Sequence, residues 1–359
     1  MKTARLSSLY EAEGPFATVM VDVSHDSENG AHEHELRVRQ AGQTLTELGA
    51  DSVVTELVEE RLGEQLPDAA PVGRFVVATK EAVLFDETMH ARVDSPVTSW
   101  GPLPDMAPWV AHRDATTTFV LAVVDHEGGD VGTYDSDVPE PQDDDAVGGE
   151  THHTHKVPTG GWSALRYQHV VENVWQRNAD AVADAIESHV RAGHRLVLLA
   201  GDSQSVTRVM DRIEETRATV VQLSSGSRAE DGGDEALQQA IREALMDHTT
   251  QRRLEWSHSL KDRLGRSEAV ATGVRDVADA FVRGQVDTLV LDPAEAAELT
   301  LTPAEHPGLV LGTAPTDRPL PADQALIAAA ALTGADVVVN SRAVMAGTPV
   351  AALLRWDQS

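Results

Sequence analysis

Cysteine is absent from this chain of 359 residues, which excludes disulfide bonds, zinc–thiolate sites and thiol catalysis together. Long apolar runs are also absent: none reaches about 18 residues, so the sequence predicts no membrane-spanning helix. The first residues, MKTARLSSLYEAEG, lack the apolar run of a signal peptide. From these absences we expect a cytoplasmic protein.

Lysine is scarce, and positive charge is scarce overall. Only four of the 29 basic residues are lysine, and the net charge is −29. Taken alone, such a charge argues against a nucleic-acid-binding protein, because a phosphate backbone repels it. Any contact with RNA must then come from local groups of basic residues.

Familiar catalytic sequence patterns are missing as well. The chain has no G-x-S-x-G nucleophile elbow, no Walker loop, no H-E-x-x-H motif and no G-x-G-x-x-G between a strand and a helix. We therefore predict no cofactor.

The hydrophobic pattern predicts an α/β fold of three domains, comprising residues 1–112, 113–266 and 267–359. Strands alternate with helices in the two later segments, which indicates two C-terminal α/β domains after an α+β N-terminal domain. Three local predictions accompany this division. They are a Pro-rich linker over 95–109, a mobile acidic loop over 134–150 and a strand over 308–311.

The most informative segment is 159–168, which reads TGGWSALRYQ. Gly160 and Gly161 permit positive φ and close approach of the backbone to a partner. Ser163 is a suitable N-cap for a predicted long helix over 163–191, and the start of a helix attracts anions such as RNA phosphate. Trp162 lies between the glycines and this cap.

Basic residues concentrate in two places, which we call the tip island and the helix island. The tip island surrounds the double glycine and comprises Lys156, Arg166 and Arg177, with Glu172 as the only acid between residues 151 and 177. The helix island lies in a predicted helix over 234–263 and just beyond it. It comprises Arg252, Arg253, Lys261, Arg263 and Arg266. Each island could contact several phosphates, with salt-dependent affinity.

The octet GGWSALRY resembles the GGQSALRF that marks the middle domain of class I archaeal and eukaryotic release factors, a superfamily that includes Pelota. Three further stretches resemble this family in the same order, over roughly residues 115–359. They are LVLLAGDSQSVTRVMDRI at 196–213, VRDVADAFVRGQVDTLVLDP at 274–293, and GADVVVNS with VAALLRW near the C-terminal end. The first 112 residues show no such match and no NIKS-like decoding motif.

Trp162 stands where this family has its catalytic glutamine. An indole has one N–H donor and no acceptor, so it cannot hold a water molecule as an amide does. The chain in this respect resembles Balon-type hibernation factors, Pelota-related bacterial proteins that occupy the ribosomal A site without release chemistry. The resemblance implies a monomer that binds the ribosome, with Gly160, Gly161, Trp162, Ser163 and Arg166 at the peptidyl-transferase centre. It also implies a third domain directed toward a translational GTPase of the EF-Tu class.

Other interpretations remain open at the level of the sequence. The protein could be a peptidyl-tRNA hydrolase or release factor that uses other groups, or a stress-associated interaction protein that kept the scaffold. Trp162 could pack on its own domain, and the helix island could be an ordinary solvated face paired with acids. A cluster of His152, His153 and His155 could bind a metal, although the spacing provides no fourth ligand.

Overall fold

A computed structural model describes the chain at residues 3–25, 29–64, 66, 71–125, 128–138, 142–147, 175–213, 218–224, 233–266, 268–341, 345 and 347–356. The chain divides into two compact units. Unit 1 comprises Met1–Ala115 and Arg253–Ser359, and unit 2 comprises Thr116–Arg252. Among the described helices none is long and apolar enough to cross a membrane.

The N-terminal part of unit 1 is a four-stranded antiparallel sheet with helices against it. Its elements are a 3₁₀ helix Ala4–Glu11, β1 Phe16–Asp22, α1 Gly30–Glu47, α2 Ser52–Gly63, β2 Gly73–Ala78, β3 Val83–Met89, β4 Val97–Gly101 and α3 Ala107–Ala115. The strand order is β3-β2-β1-β4. Alternate residues of β1 face opposite sides: Val19 packs with α1 and α2, and Phe16 packs toward α3.

The prediction of a Pro-rich linker over 95–109 is wrong. Strand β4 pairs with β1 from Phe16↔Gly101 to Met20↔Val97, and Trp109 of α3 is fully buried. The prolines do not prevent these elements, because Pro96 and Pro102 flank β4, Pro104 lies between β4 and α3, and Pro108 lies in the first turn of α3. The backbone N–H that proline lacks would have no acceptor within the helix at this position, so no hydrogen bond is lost.

The C-terminal part of unit 1 is a second sheet, of order β10-β15-β11-β14, with helices packed on it. Its elements are β10 Val270–Thr272, α7 Val274–Val282, β11 Val286–Leu291, α8 Pro293–Ala297, β12 Thr300–Leu301, a 3₁₀ helix Pro303–Glu305, β13 Leu320–Pro321, α9 Ala322–Thr333, β14 Asp336–Val339 and β15 Val350–Leu354. Strands β11 and β14 are parallel and are connected through α8 and α9. Helix α9 is apolar on nearly all sides, as a helix in the middle of a core must be.

The predicted strand over 308–311 is also wrong, since residue 308 ends a turn and residues 309–311 form no regular element. Gly308 and Gly312 both have positive φ, which interrupts an extended conformation. A Cβ on Gly312 would lie 2.0 Å from the Tyr10 carbonyl oxygen, so only glycine fits this contact.

The N-terminal and C-terminal parts of unit 1 share one hydrophobic core. Hydrogen bonds also connect them: Thr3 Oγ1 donates to the Ala335 carbonyl at 2.7 Å, the Val339 N–H donates to Asp114 Oδ2 at 3.0 Å, and Thr313 Oγ1 donates to the Ala12 carbonyl at 2.6 Å. The compact units change at 115/116 and 252/253, whereas the predicted domains change at 112/113 and 266/267. The division into three domains stays a prediction.

Unit 2 is a five-stranded mixed sheet of order β7-β6-β5-β8-β9 between helices. Its elements are β5 Thr118–Asp125, β6 Gly128–Asp135, β7 Asp143–Val147, α4 Trp175–Ala192, β8 Leu196–Gly201, α5 Ser203–Met210, β9 Thr219–Gln222 and α6 Gly233–Arg266, whose last residues count with unit 1. Helices α4 and α5 share one buried cluster, and Ile241 and Leu245 of α6 belong to another.

The prediction of a mobile loop over 134–150 is wrong for residues 143–147, which form β7. This strand pairs with β6 from Gly129↔Val147 to Thr133↔Asp143. Backbone hydrogen bonds do not depend on the side chains, and an edge strand tolerates acidic residues. The residues around β7 at 139–141 and 148–150 lie outside the described part of the chain.

Candidate functional site

The predicted tip loop lies outside the described residues. This applies to Gly160, Gly161, Trp162, Ser163, Arg166 and Lys156, and to His152, His153 and His155. Arg177 belongs to the backbone of α4, but its side chain is not among those described. The roles assigned to these residues stay predictions.

The helix island is described in full and lies on the second half of α6. Arg253, Lys261 and Arg266 are exposed, and no ion pair joins them to an acid among the described residues. Two acids, Glu255 and Asp262, are exposed on the same stretch. The island therefore presents three solvent-accessible cations on a helix, with their charge partly offset by two neighbouring carboxylates.

Arg263 has a different position from the rest of the island. It is half-buried, and its Nη1 donates to the carbonyls of Ala269 and Leu354, each at 3.4 Å. Leu260, one turn earlier, is buried in a cluster with residues of β11 and β15. Arg263 therefore helps to attach the end of α6 to unit 1. Arg252 is half-buried as well.

The turn from β8 into α5 is built for a close backbone approach. Gly201 has a φ of 130°, and a Cβ there would lie 1.8 Å from the Val124 carbonyl oxygen of β5. The next residue, Asp202, caps α5 by accepting from the backbone N–H groups of Gln204 and Ser205 at 3.1 and 3.0 Å. Because its carboxylate already occupies the N-terminus of α5, this turn does not offer that helix end to a phosphate.

Unit 1 contains buried polar groups that sequence reasoning missed. Tyr10, Asp105 and Asp323 come from the first 3₁₀ helix, the segment before α3 and the first turn of α9. Tyr10 Oη, Asp105 Oδ1 and Asp323 Oδ1 are buried without a hydrogen-bond partner in the described structure. These residues are far apart in sequence, so no spacing pattern could have indicated that they approach one another.

The buried environment of Tyr10, Asp105 and Asp323 raises their pKa values. Burial, and then the charge of Asp105, raise the pKa of Asp323 from 3.8 to about 6. Burial also raises the pKa of Asp105, against a hydrogen bond from the Ala107 backbone. Burial and the charges of both acids raise the pKa of Tyr10. The folded protein thus holds two carboxyl groups where ionisation is unfavourable.

Metal binding finds no support in the described side chains. No group of three or more His, Cys, Asp or Glu residues that could hold a metal occurs within the described ranges.

A family model matches the middle of the chain. Residues 118–266, from the first strand of unit 2 to the end of α6, match bacterial archaeo-eukaryotic release factor family 2. The match supports the expected resemblance to the archaeo-eukaryotic release factor and Pelota superfamily over this middle part of the chain.

Three known proteins illustrate the similarity. A Mycobacterium tuberculosis protein, Rv2629 of strain H37Rv, is 28% identical over 368 aligned positions, which cover 99% of this chain and 97% of that protein. Archaeal Pelota, in a structure of ribosome-bound Pelota with ABCE1, is 15% identical with a TM-score of 0.44, covering 99% of this chain and 94% of that chain. Dom34 of S. cerevisiae, a translation termination-like factor that interacts with Hbs1, is 12% identical with a TM-score of 0.42 and covers 82% of each chain.

Proposed function

We propose that this protein binds the ribosomal A site as a release-factor-like protein and does not release the peptide. The proposal is carried by the match of residues 118–266 to a release factor family. It also uses the resemblance of GGWSALRY to the family's GGQSALRF, which sets Trp162 against the catalytic glutamine. A role in ribosome hibernation or on stalled ribosomes fits a protein that occupies the site without cleavage.

The chemistry of Trp162 supports binding over hydrolysis. Release requires a group that positions a water molecule against the peptidyl-tRNA ester. The indole N–H can donate one hydrogen bond, and the indole ring accepts none. It can instead stack on a base, an interaction that contributes about 1–3 kcal/mol. Gly160 and Gly161 permit the backbone to bring residue 162 close to RNA, whether that residue is tryptophan or glutamine.

The described cations support contact with RNA. With a net charge of −29 the whole chain is repelled by phosphate. Arg253, Lys261 and Arg266 are nevertheless exposed together on one helix. We assign them to phosphate contacts, which release counterions and make binding depend steeply on salt.

Co-sedimentation with ribosomes tests the proposal. We expect the protein to pellet with ribosomes from its own cells at low salt and to dissociate as salt is raised. The triple variant R253E/K261E/R266E should bind more weakly. Its salt dependence should be shallower, by about 0.7–0.9 in log–log slope for each phosphate that it no longer neutralises. Arg242→Glu is the matched control, since Arg242 is an exposed cation of α6 outside the island.

Trp162 is tested separately, by binding and by turnover. Trp162→Ala should weaken ribosome binding about 5-fold or more if the indole stacks on a base. Neither the wild type nor Trp162→Ala should hydrolyse peptidyl-tRNA on isolated ribosomes. Salt-insensitive migration as a free protein would refute the proposal. Hydrolysis by the wild type would favour the alternative, a peptidyl-tRNA hydrolase or release factor, for which Trp162→Gln should be more active still.

A further inference from the structure

A pocket with a volume of about 170 Å³ opens in the N-terminal part of unit 1, between the turn after β3 and helix α3. Met20 of β1 and Met89 of β3 line it together with Val93 and Pro108. Arg92 and His112 also line the pocket, and Arg92 is exposed. The pocket therefore combines apolar side chains with a guanidinium and an imidazole, both of which can donate hydrogen bonds.

A glycine shapes one wall of this pocket. The turn after β3 lies directly over Gly73 of β2, where a Cβ would be 2.5 Å from Val93 Cγ2 and 3.0 Å from Met89 Cε. Any larger residue at this position would displace both side chains. The absence of a side chain at Gly73 thus lets the turn pack close to the sheet and places Val93 beside Met89.

The chemistry of the lining fits a flat ring that carries a phosphate. Thioether sulfurs make favourable contacts with aromatic rings. An apolar cavity of about 150 Å³ is large enough to bind benzene. An arginine next to the pocket suits a phosphate oxygen or the acceptor edge of a base, and it offsets locally the repulsion of anions by the net charge of −29. Asp94 and Ser95, which also line the pocket, can accept hydrogen bonds from the amino group of a base.

We propose that this pocket binds one unstacked nucleobase of RNA, with its phosphate toward Arg92. The choice of RNA rests on the proposed function, whereas the pocket itself does not. RNA is read mainly through bases that are splayed out of a stack. An aromatic side chain of a protein would use the same apolar lining, but it would carry no phosphate for Arg92.

Methionine methyl groups report directly on the pocket. The chain has seven methionines, and ¹³C-methyl labelling of the full-length protein gives one NMR signal for each. Met20→Leu and Met89→Leu assign the two pocket signals. On titration with AMP, GMP, CMP and UMP we expect saturable ring-current shifts of Met20 and Met89. The exposed Met210 and Met246 are internal controls that should stay unshifted.

Two further probes distinguish the possible ligands. Ribose 5-phosphate carries the phosphate without an aromatic ring, and N-acetylphenylalanine amide carries an aromatic ring without the phosphate. Binding of ribose 5-phosphate with the same affinity as the nucleotides, measured from saturable methyl shifts of any size, would reduce the site to anion binding and overturn the proposal. Tighter binding of the phenylalanine derivative would overturn it in favour of a protein partner. The absence of any saturable shift would also refute it.

A matched pair of variants tests the role of the cation. Arg92→Ala should weaken nucleotide binding about threefold, the size expected of an exposed charge contact. Arg318→Ala removes another exposed arginine of unit 1 and should leave the affinity unchanged. The same proteins are then tested for ribosome co-sedimentation. Ribosome binding without nucleotide shifts refutes the pocket alone, and nucleotide shifts without ribosome binding refute the proposed function alone.

Discussion

Asp323→Asn should stabilise this protein at neutral pH. Asp323 is 3% exposed at the start of α9, where burial and then the charge of Asp105 disfavour its ionised form. Asparagine keeps the side-chain oxygen that accepts from the Asp323 and Gln324 backbone N–H groups and removes the charge. The substitution therefore relieves an unfavourable charge in the core of unit 1 with little change of shape.

The magnitude follows from the pKa of Asp323, which rises from 3.8, the ordinary value for an aspartate, to about 6 in the folded protein. A raised folded-state pKa means that the stabilisation from the bound proton is complete below pH 3.8 and is lost as pH rises through about 6. Since one pKa unit corresponds to about 1.36 kcal/mol, the full effect is about 3 kcal/mol. Between pH 5 and pH 7 the wild type should lose about 1.3 kcal/mol that the variant keeps.

Urea unfolding at pH 5 and pH 7, followed by circular dichroism, measures this difference. Hydrogen exchange of peptides from α9 identifies the transition that includes unit 1. The quantity of interest is the change in the variant's stability advantage between the two pH values, because packing effects of the substitution cancel in it. Asp317→Asn, at an exposed acid of the same unit, is the control. An advantage that changes by less than about 0.4 kcal/mol, the ordinary error of additivity, would refute the reasoning.

Two further substitutions test the packing of each unit, with urea unfolding as the measurement. Gly201→Ala should destabilise unit 2 by several kcal/mol, because its Cβ would meet a β5 carbonyl at 1.8 Å; Gly193→Ala, also at positive φ but with open space, should cost only about 1–2 kcal/mol. Asp86→Asn should destabilise unit 1 by about 1–3 kcal/mol, because it removes one of the two carboxylates that pair with the buried Arg74 and leaves only Glu64. Equal losses in the two glycine variants, or an Asp86 variant as stable as wild type, would contradict these accounts.

Most of the regular elements could be predicted from the sequence alone. The alternation in 16–23 and the helical pattern in 274–283 correspond to β1 and α7 almost residue for residue. Both patterns are local, because one apolar face of a short segment is sufficient to predict its conformation. The octet at 160–167 likewise indicated a resemblance to release factors, and the family match over 118–266 confirms this resemblance for the middle of the chain. The function of the tip residues stays a prediction.

The remaining features depend on distant parts of the chain and could not be predicted in this way. Strands β4 and β7 form because a neighbouring strand offers its backbone hydrogen bonds, which neither the prolines nor the acids of these segments reveal. The shared core of unit 1 brings Asp105 and Asp323 close enough for one charge to affect the other. The pocket over Gly73 requires the packing of a turn on a sheet. In each case the physical cause is an interaction between segments far apart in sequence, and local periodicity does not predict such interactions.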